Sequence, residues 1–271
     1  MGRRLGIIAL GGAYPFYVLD KALKKRIRPL LVAVRGIADP KLEAKASEFQ
    51  WFDLNEIFSV APFLKKTGVR NVLFAGKIDP AWGYNKRSFS KEAGDFFRKL
   101  KDQRPSAIIG EVINLFEQQG FTVEDPRLFL EDFFCSPGLF TREDLTFREQ
   151  EDLEFGLPLA RKIADLDIGQ TVVIKEKMVV AVEGIEGTDE VIKRGGGLAG
   201  EGIMIIKAGR SKQDFRVDMP AVGLSTVQSL VESGARSLCF EAVKVPFFQK
   251  EEAVALANSR GITIKAVVVN D

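Results

Sequence analysis

The stretch LGIIALGGAYPFYVLDKALKKRIRPLLVAV, residues 5–34, decides the fold. It opens on the apolar run Leu5–Leu10, turns at Gly11-Gly12, and carries helix-like spacing with a basic tail from Tyr14 to Arg28. A second apolar run, Leu30–Val34, follows between Pro29 and Gly36. Short apolar runs closed by Gly or Pro read as buried strands, and a helix between two of them lets the pair run parallel. The segment therefore predicts one strand–helix–strand unit. Val72–Ala75, closed by Gly76, predicts another strand, and Ile108–Gln118 an amphipathic helix ending near Gly120. The first half reads as a small open α/β sheet.

Further along, the pattern lapses. Between about Cys135 and Glu154, Ser136-Pro137-Gly138 gives way to the charged residues Arg142, Glu143, Asp144, Arg148, Glu149, Glu151 and Asp152. This places a boundary between an N-terminal domain, residues 1–140, and a C-terminal domain, residues 141–271. Gln170–Ile174 and Met178–Val182, joined by Lys175-Glu176-Lys177, predict a hairpin. Thr188-Asp189 then caps a short helix to Arg194, Gly195-Gly196-Gly197 opens a mobile loop, and Ile203–Ile206 is a strand. A helix from Ser225 or Thr226 to Glu232, a strand at Ser237–Glu241, a helix at Glu251–Asn258 and a strand at Thr263–Val269 complete an α/β or α+β half with mixed strand directions.

Composition narrows the chemistry. The 271 residues exceed the roughly 100–200 of a typical domain. Lys and Arg total 39 against 37 Asp and Glu, with no long single-sign block, so nucleic acid is not an expected partner. There is no histidine, which excludes Ser-His-Asp and Cys-His nucleophile pairs and histidine-based zinc sites. Chemistry must run on carboxylates, Lys, Arg, hydroxyls and backbone amides, with a hard metal at most. Cys135 and Cys239 are far apart and read as free thiols of a reducing compartment. Gly2-Arg3-Arg4 before Leu5–Leu10 imitates a signal peptide, but Gly11-Gly12 and Pro15 break the run. No stretch of 18 apolar residues predicts a membrane span.

Three segments carry candidate chemistry. The turn Gly11-Gly12-Ala13-Tyr14-Pro15 could offer backbone amides and a helix N-terminus to a phosphate, although it lacks GxGxxG spacing, and an unliganded turn is as good a reading. Glu183-Gly184-Ile185-Glu186-Gly187-Thr188-Asp189 gathers carboxylates and a hydroxyl where a strand becomes a helix, which capping alone also explains. Lys207–Gly223 mixes basic residues with Asp214 and Asp218 in a loop suited to an anionic substrate carrying a cation, or to a solvated salt-bridged loop. Val217 and Met219 flank Asp218, and an acid between apolar neighbours wants a partner.

Asp167–Ile174 (DIGQTVVI), Ala181–Gly195 (AVEGIEGTDEVIKRG) and Gln213–Gly223 (QDFRVDMPAVG) resemble the bacterial UDP-2,3-diacylglucosamine pyrophosphatases of the histidine-free type. The likeness spans essentially the whole chain, with the glycine turn and Phe74-Ala75-Gly76-Lys77 as weaker matches. It implies an N-terminal Rossmann-like open-sheet domain, a family-specific C-terminal α/β catalytic domain, a cleft between them and a homodimer. The implied activity is Mg²⁺-dependent hydrolysis, with Mn²⁺ as a substitute, of a UDP-linked glycolipid to UMP and 2,3-diacylglucosamine 1-phosphate in lipid A synthesis. The implied place is the cytoplasm, in transient contact with the inner-membrane surface. The essential aspartate of the family's R-V-D-x-P-x-x-G motif falls on Asp218, and Asp214, which is not the matched aspartate, is the weaker candidate. The substrate-binding candidates are Gly11, Gly12, Ala13, Gly76, Lys77, Gln170, Thr171, Thr188, Arg194, Lys207 and Arg216, and the metal candidates Asp218, Asp189 and Glu186. Family members usually carry Gly-Asp-Asp before the helix leading to Phe116-Glu117-Gln118-Gln119-Gly120-Phe121, where this chain has Arg104-Pro105-Ser106. A nucleotide-sugar-binding paralogue without turnover is the alternative reading.

Overall fold

The computed structural model describes residues 4–77, 91–102 and 104–269, so Gly2 and Arg3 of the basic start lie outside the described residues. The chain forms two units: Met1–Glu131 with Asp214–Asp218, and Asp132–Gln213 with Met219–Asp271. The chain thus passes from the first unit to the second after Glu131, where the sequence pattern suggested 140/141.

The first unit runs β1 Leu5–Ala9, α1 Tyr14–Lys24, β2 Leu30–Val34, β3 Glu48–Phe52, α2 Ile57–Lys66, β4 Asn71–Ala75, α3 Lys91–Lys99, α4 Pro105–Gln118, β5 Thr122–Val123 and α5 Arg127–Leu130. Its five strands are parallel in the order β3-β2-β1-β4-β5. Every residue of β1 and β2 is buried, as uninterrupted apolar runs require in a sheet covered on both faces. The basic tail after α1 is not helical. Arg26 adopts φ 60° and the Ile27 N–H reaches back to the Ala22 carbonyl, which closes the helix. Strand order reverses between β1 and β4, so the carboxyl ends of these two strands, Ala9 and Ala75, mark the place where open α/β sheets receive ligands.

The second unit runs β6 Gly138–Leu139, α6 Phe147–Asp165, β7 Thr171–Lys175, β8 Met178–Val182, α7 Thr188–Ala199, β9 Met204–Lys207, α8 Leu224–Glu232, β10 Ser237–Glu241, α9 Lys250–Ser259 and β11 Thr263–Val267. The sheet order is β6-β11-β10-β9-β7-β8. Strands β9, β10 and β11 are parallel, while β6, β7 and β8 run against their neighbours, so the expected mixture of directions and the expected hairpin are both present.

Two readings of this half need correction. The charged stretch after Arg142 is not all linker, because α6 begins inside it. Thr146 accepts from the Glu149 N–H at 3.3 Å and the Glu149 carboxylate accepts from the Thr146 N–H at 2.8 Å, a reciprocal cap. The buried Asp152 accepts from the Glu176 and Lys177 N–H groups at 3.0 and 2.6 Å, fixing the hairpin turn where both residues have positive φ. The second correction concerns Gly195-Gly196-Gly197, which continues α7 rather than opening a loop. A Cβ on Gly195 would lie 2.7 Å from the Val173 side chain, and one on Gly196 would lie 2.5 Å from the Ser233 carbonyl oxygen. These glycines let the helix lie close against β7 and the end of α8. Among the described residues no helix is long and apolar enough to cross a membrane.

Candidate functional site

In the first unit, five of the candidate residues follow the carboxyl ends of β1 and β4. The Gly11 N–H bonds the Lys77 carbonyl at 2.9 Å and the Lys77 N–H returns to the Gly11 carbonyl at 3.0 Å. Gly76 has φ 112°, and a Cβ there would lie 2.6 Å from the Gly11 oxygen, so only glycine lets the two turns close on each other. Gly12 is exposed, and Ala13 precedes α1 without a side-chain cap or an acid in the first turn. A helix start of this kind carries partial positive charge, which suits an anion.

The segment Asp214–Asp218 also packs within the first unit. The Asp214 carboxylate accepts from the Arg216 N–H at 3.0 Å and grips its guanidinium at 3.0 and 2.8 Å, while the Asp214 carbonyl accepts from the N–H groups of Val217 and Asp218. Arg216 reaches on to Glu117 of α4 at 2.9 Å. Phe215 is buried with the Arg127 guanidinium 4.3 Å from its ring centre, and Asp125 holds Arg127 in turn. Val217 packs against the apolar core that includes Ile113 and Phe116. Asp218, half-buried, leaves this knotted turn. The guanidinium of Arg216 holds the Asp214 carboxyl below the usual carboxylate range, and Asp214 raises Arg216 in return. Two carboxylates therefore hold the candidate contact Arg216, and Asp214 shapes the turn that carries Asp218.

In the second unit, three distant stretches meet at one end of the sheet. Lys207 is the last residue of β9 and pairs in register with Thr171, the first of β7. Glu183 follows β8, and Thr188 opens α7 behind Gly187, which is the N-cap in place of the anticipated Thr188-Asp189 cap. The Lys207 ammonium donates to the Thr171 and Thr188 hydroxyls at 3.2 and 2.6 Å. The Glu183 carboxylate accepts from the Thr188 hydroxyl at 2.8 Å, from the Gln170 N–H at 3.0 Å, and from Thr171. Glu183 is 8% exposed and Lys207 5%, so this is an interior ion pair bridged by hydroxyls. Burial alone would push the Glu183 carboxyl up. The Lys207 charge and the hydroxyl and amide donors more than offset it and hold the group below its ordinary range. Gly169 admits this closeness, since its Cβ would lie 2.1 Å from the Glu183 carbonyl oxygen.

Gln170, Thr171, Thr188 and Lys207 are thus brought together, whereas the remaining candidates of this unit have other partners. Arg194, exposed on α7, donates to the Val182 carbonyl and pairs with Glu186, which also accepts from the Gly184 N–H. Asp189 accepts from Ser229 at 3.3 Å. No group of three or more carboxylate or thiol ligands gathers among the described residues. Cys135 and Cys239 are buried, and burial pushes the Cys239 thiol up to about 12, away from the thiolate form a nucleophile needs. Phe133 packs on Phe248, and Phe140 on Phe240 and Phe247. A shallow groove of about 640 Å³ beside α9, lined by Phe140, Arg142, Lys250 and Asn258, holds none of the candidates.

Sequence reasoning passed over Glu183, which lies inside a quoted motif, and Glu117, Arg127 and Phe215, which become relevant only once the chain has folded. Comparison with known proteins places these clusters in context. Residues 4–133 match the model of the LpxI N-terminal domain, and residues 136–265 that of the LpxI C-terminal domain. The chain is 27% identical over 284 aligned positions, 98% of each sequence, to the UDP-2,3-diacylglucosamine pyrophosphatase LpxI of Caulobacter vibrioides.

Proposed function

The chain belongs to the LpxI family, and from that membership we propose that it hydrolyses the pyrophosphate of UDP-2,3-diacylglucosamine to UMP and 2,3-diacylglucosamine 1-phosphate in lipid A synthesis. The observation that carries this reading is the convergence of Gln170, Thr171, Thr188 and Lys207, from segments scattered over some forty residues, on one buried cluster. An ammonium and hydroxyls fixed in place before substrate arrives are what a pyrophosphate requires, since phosphoryl transfer is catalysed mainly by positioning and charge.

Asp218 is the catalytic carboxylate, either taking the proton of the attacking water or holding the cation. Gly11, Gly12, Ala13, Gly76 and Lys77 supply backbone amides and a helix start for the nucleotide half of the substrate. Lys207, Thr171, Thr188 and Gln170 hold phosphate oxygens, with Arg194 and Arg216 nearer the solvent. Mg²⁺, or Mn²⁺ in its place, would be held by Asp218 and would neutralise charge on the pyrophosphate oxygens. The protein works as a homodimer in the cytoplasm, touching the inner-membrane surface to collect its lipid.

Hydrolysis in ¹⁸O-water tests the reaction and its direction together. Attack on the phosphorus next to the sugar puts label in 2,3-diacylglucosamine 1-phosphate and none in UMP. Label in UMP would reverse the placement of water and leaving group, and the absence of any UMP would leave a nucleotide-sugar binder. If the cation neutralises the pyrophosphate, EDTA abolishes the release and Mg²⁺ restores it; full activity after exhaustive chelation removes the cation from the reaction.

A further inference from the structure

Glu183 is a buried acid in the interior of a site whose known chemistry does not call for it. Lys207 can only donate, so the Thr171 and Thr188 hydroxyls must turn their lone pairs toward it. Each hydroxyl has one proton, and both are given to the Glu183 carboxylate. The same carboxylate takes the Gln170 N–H, so one side chain orients three of the four clustered candidates directly and the fourth through two hydroxyls. Two of the ammonium's three protons are then assigned, and no hydrogen bond of the third is found among the described residues.

Charges on neighbouring elements are engaged elsewhere. Glu241 of β10 pairs with Arg161 and Lys244 and accepts from the Gly209 N–H; Asp189 of α7 bonds Ser229; Arg194 and Glu186 pair with each other. A buried ion pair of this kind is a poor way to gain stability, because well-packed apolar residues commonly do as well. Its value lies in fixing orientation.

We propose that Glu183 is a positioning residue of the substrate site, locking the hydroxyls of Thr171 and Thr188 and the Gln170 amide so that the Lys207 ammonium presents its remaining N–H to an anionic phosphate. This rests on the reading of those four residues as substrate contacts. Glu183 itself touches no substrate.

The test uses the full-length protein and two readouts, UDP binding by calorimetry and steady-state release of UMP. Glu183→Gln preserves shape, removes the charge and turns one of the two acceptor atoms into a donor. The expected result is at least tenfold weaker UDP binding, with KM raised more than kcat is lowered. Thr188→Val should reproduce part of the loss and Thr188→Ser should restore it. Wild-type affinity and KM in folded Glu183→Gln would overturn the proposal. Should that variant fold poorly, the double substitution Glu183→Gln/Lys207→Gln leaves no lone interior charge. It should bind UDP as weakly as Lys207→Gln alone, because Glu183 acts through Lys207. A further tenfold loss on adding Glu183→Gln to Lys207→Gln would overturn it as well. If the wild-type protein binds UDP but releases no UMP, the assigned reaction fails while the positioning role is still decided by the binding data.

Discussion

In the second unit, Glu183 and Lys207 face each other through two threonine hydroxyls with almost no access to water, whereas in the first unit Asp214, Arg216 and Glu117 join side chains that are each a third or more exposed. Both arrangements pair a carboxylate with a cation beside a candidate reactive group. They differ in what supports them. The interior pair has no solvent to fall back on, so each member holds its place only while the other is present. Water screens the outer cluster, and its geometry comes from a bidentate Arg–carboxylate fork closing a five-residue turn. The inner cluster therefore sets fixed contacts, and the outer one shapes a loop from which Asp218 projects.

Substitutions can break this contrast. The largest effect is expected of Asp218→Ala, which should cut UMP release by about a thousandfold, roughly 4 kcal/mol of barrier. Thermal and chemical denaturation should change far less than turnover, since the Asp214–Arg216 fork that closes the turn remains. A folded Asp218→Ala protein with full turnover would remove the residue from the reaction.

Next comes Lys207→Met, which strands Glu183 in the interior. A loss of about 3–5 kcal/mol in stability at neutral pH is expected from urea unfolding. Glu183 adds a pH signature. Because its folded pKa lies below its ordinary value of 4.5, the stability it contributes is present above that pH and is lost as pH falls through the folded value. The deficit of Glu183→Gln against the wild type should therefore be largest near neutrality and shrink in acid. A deficit that does not change with pH would show that the carboxylate is not ionised in the folded protein.

The smallest effect should come from Asp214→Ala. It removes an exposed fork and one turn bond, so about 1 kcal/mol or less is expected in stability. A several-fold fall in kcat with KM unchanged would sharpen the contrast by showing that the outer turn serves Asp218 alone. A loss as large as that of Lys207→Met would erase it.

The same contrast explains what could be read from sequence. Leu5–Ala9 and Leu30–Val34 are legible because short uninterrupted apolar runs bounded by Gly and Pro suit strands buried on both faces. Strand β3 is not, since Glu48–Phe52 is an edge with no fully buried residue and no clean alternation. Helix α6 hid behind its charges, which looked like solvated linker until the cap at Thr146 and the hairpin contact of Asp152 are seen. Three successive glycines in α7 contradict helix propensity, and the closeness of Val173 and Ser233 explains the first two, Gly195 and Gly196. At the candidate site the motif residues Thr171, Thr188 and Lys207 stood out, but Glu183 did not. Nothing local distinguishes it from Glu186, and its partners are supplied by β7, α7 and β9.

The short excursion of Asp214–Asp218 into the first unit has a consequence for biosynthesis. A chain leaves the ribosome amino end first, and domains ordinarily fold in that order as they emerge. Here the first 131 residues emerge without Phe215 and Val217, which complete their apolar packing, and without Arg216, the partner of Glu117. Some eighty further residues must be translated before those pieces arrive. The amino-terminal half thus waits on the carboxyl-terminal half for its own completion, and a nascent chain halted between them presents an unfinished surface to chaperones.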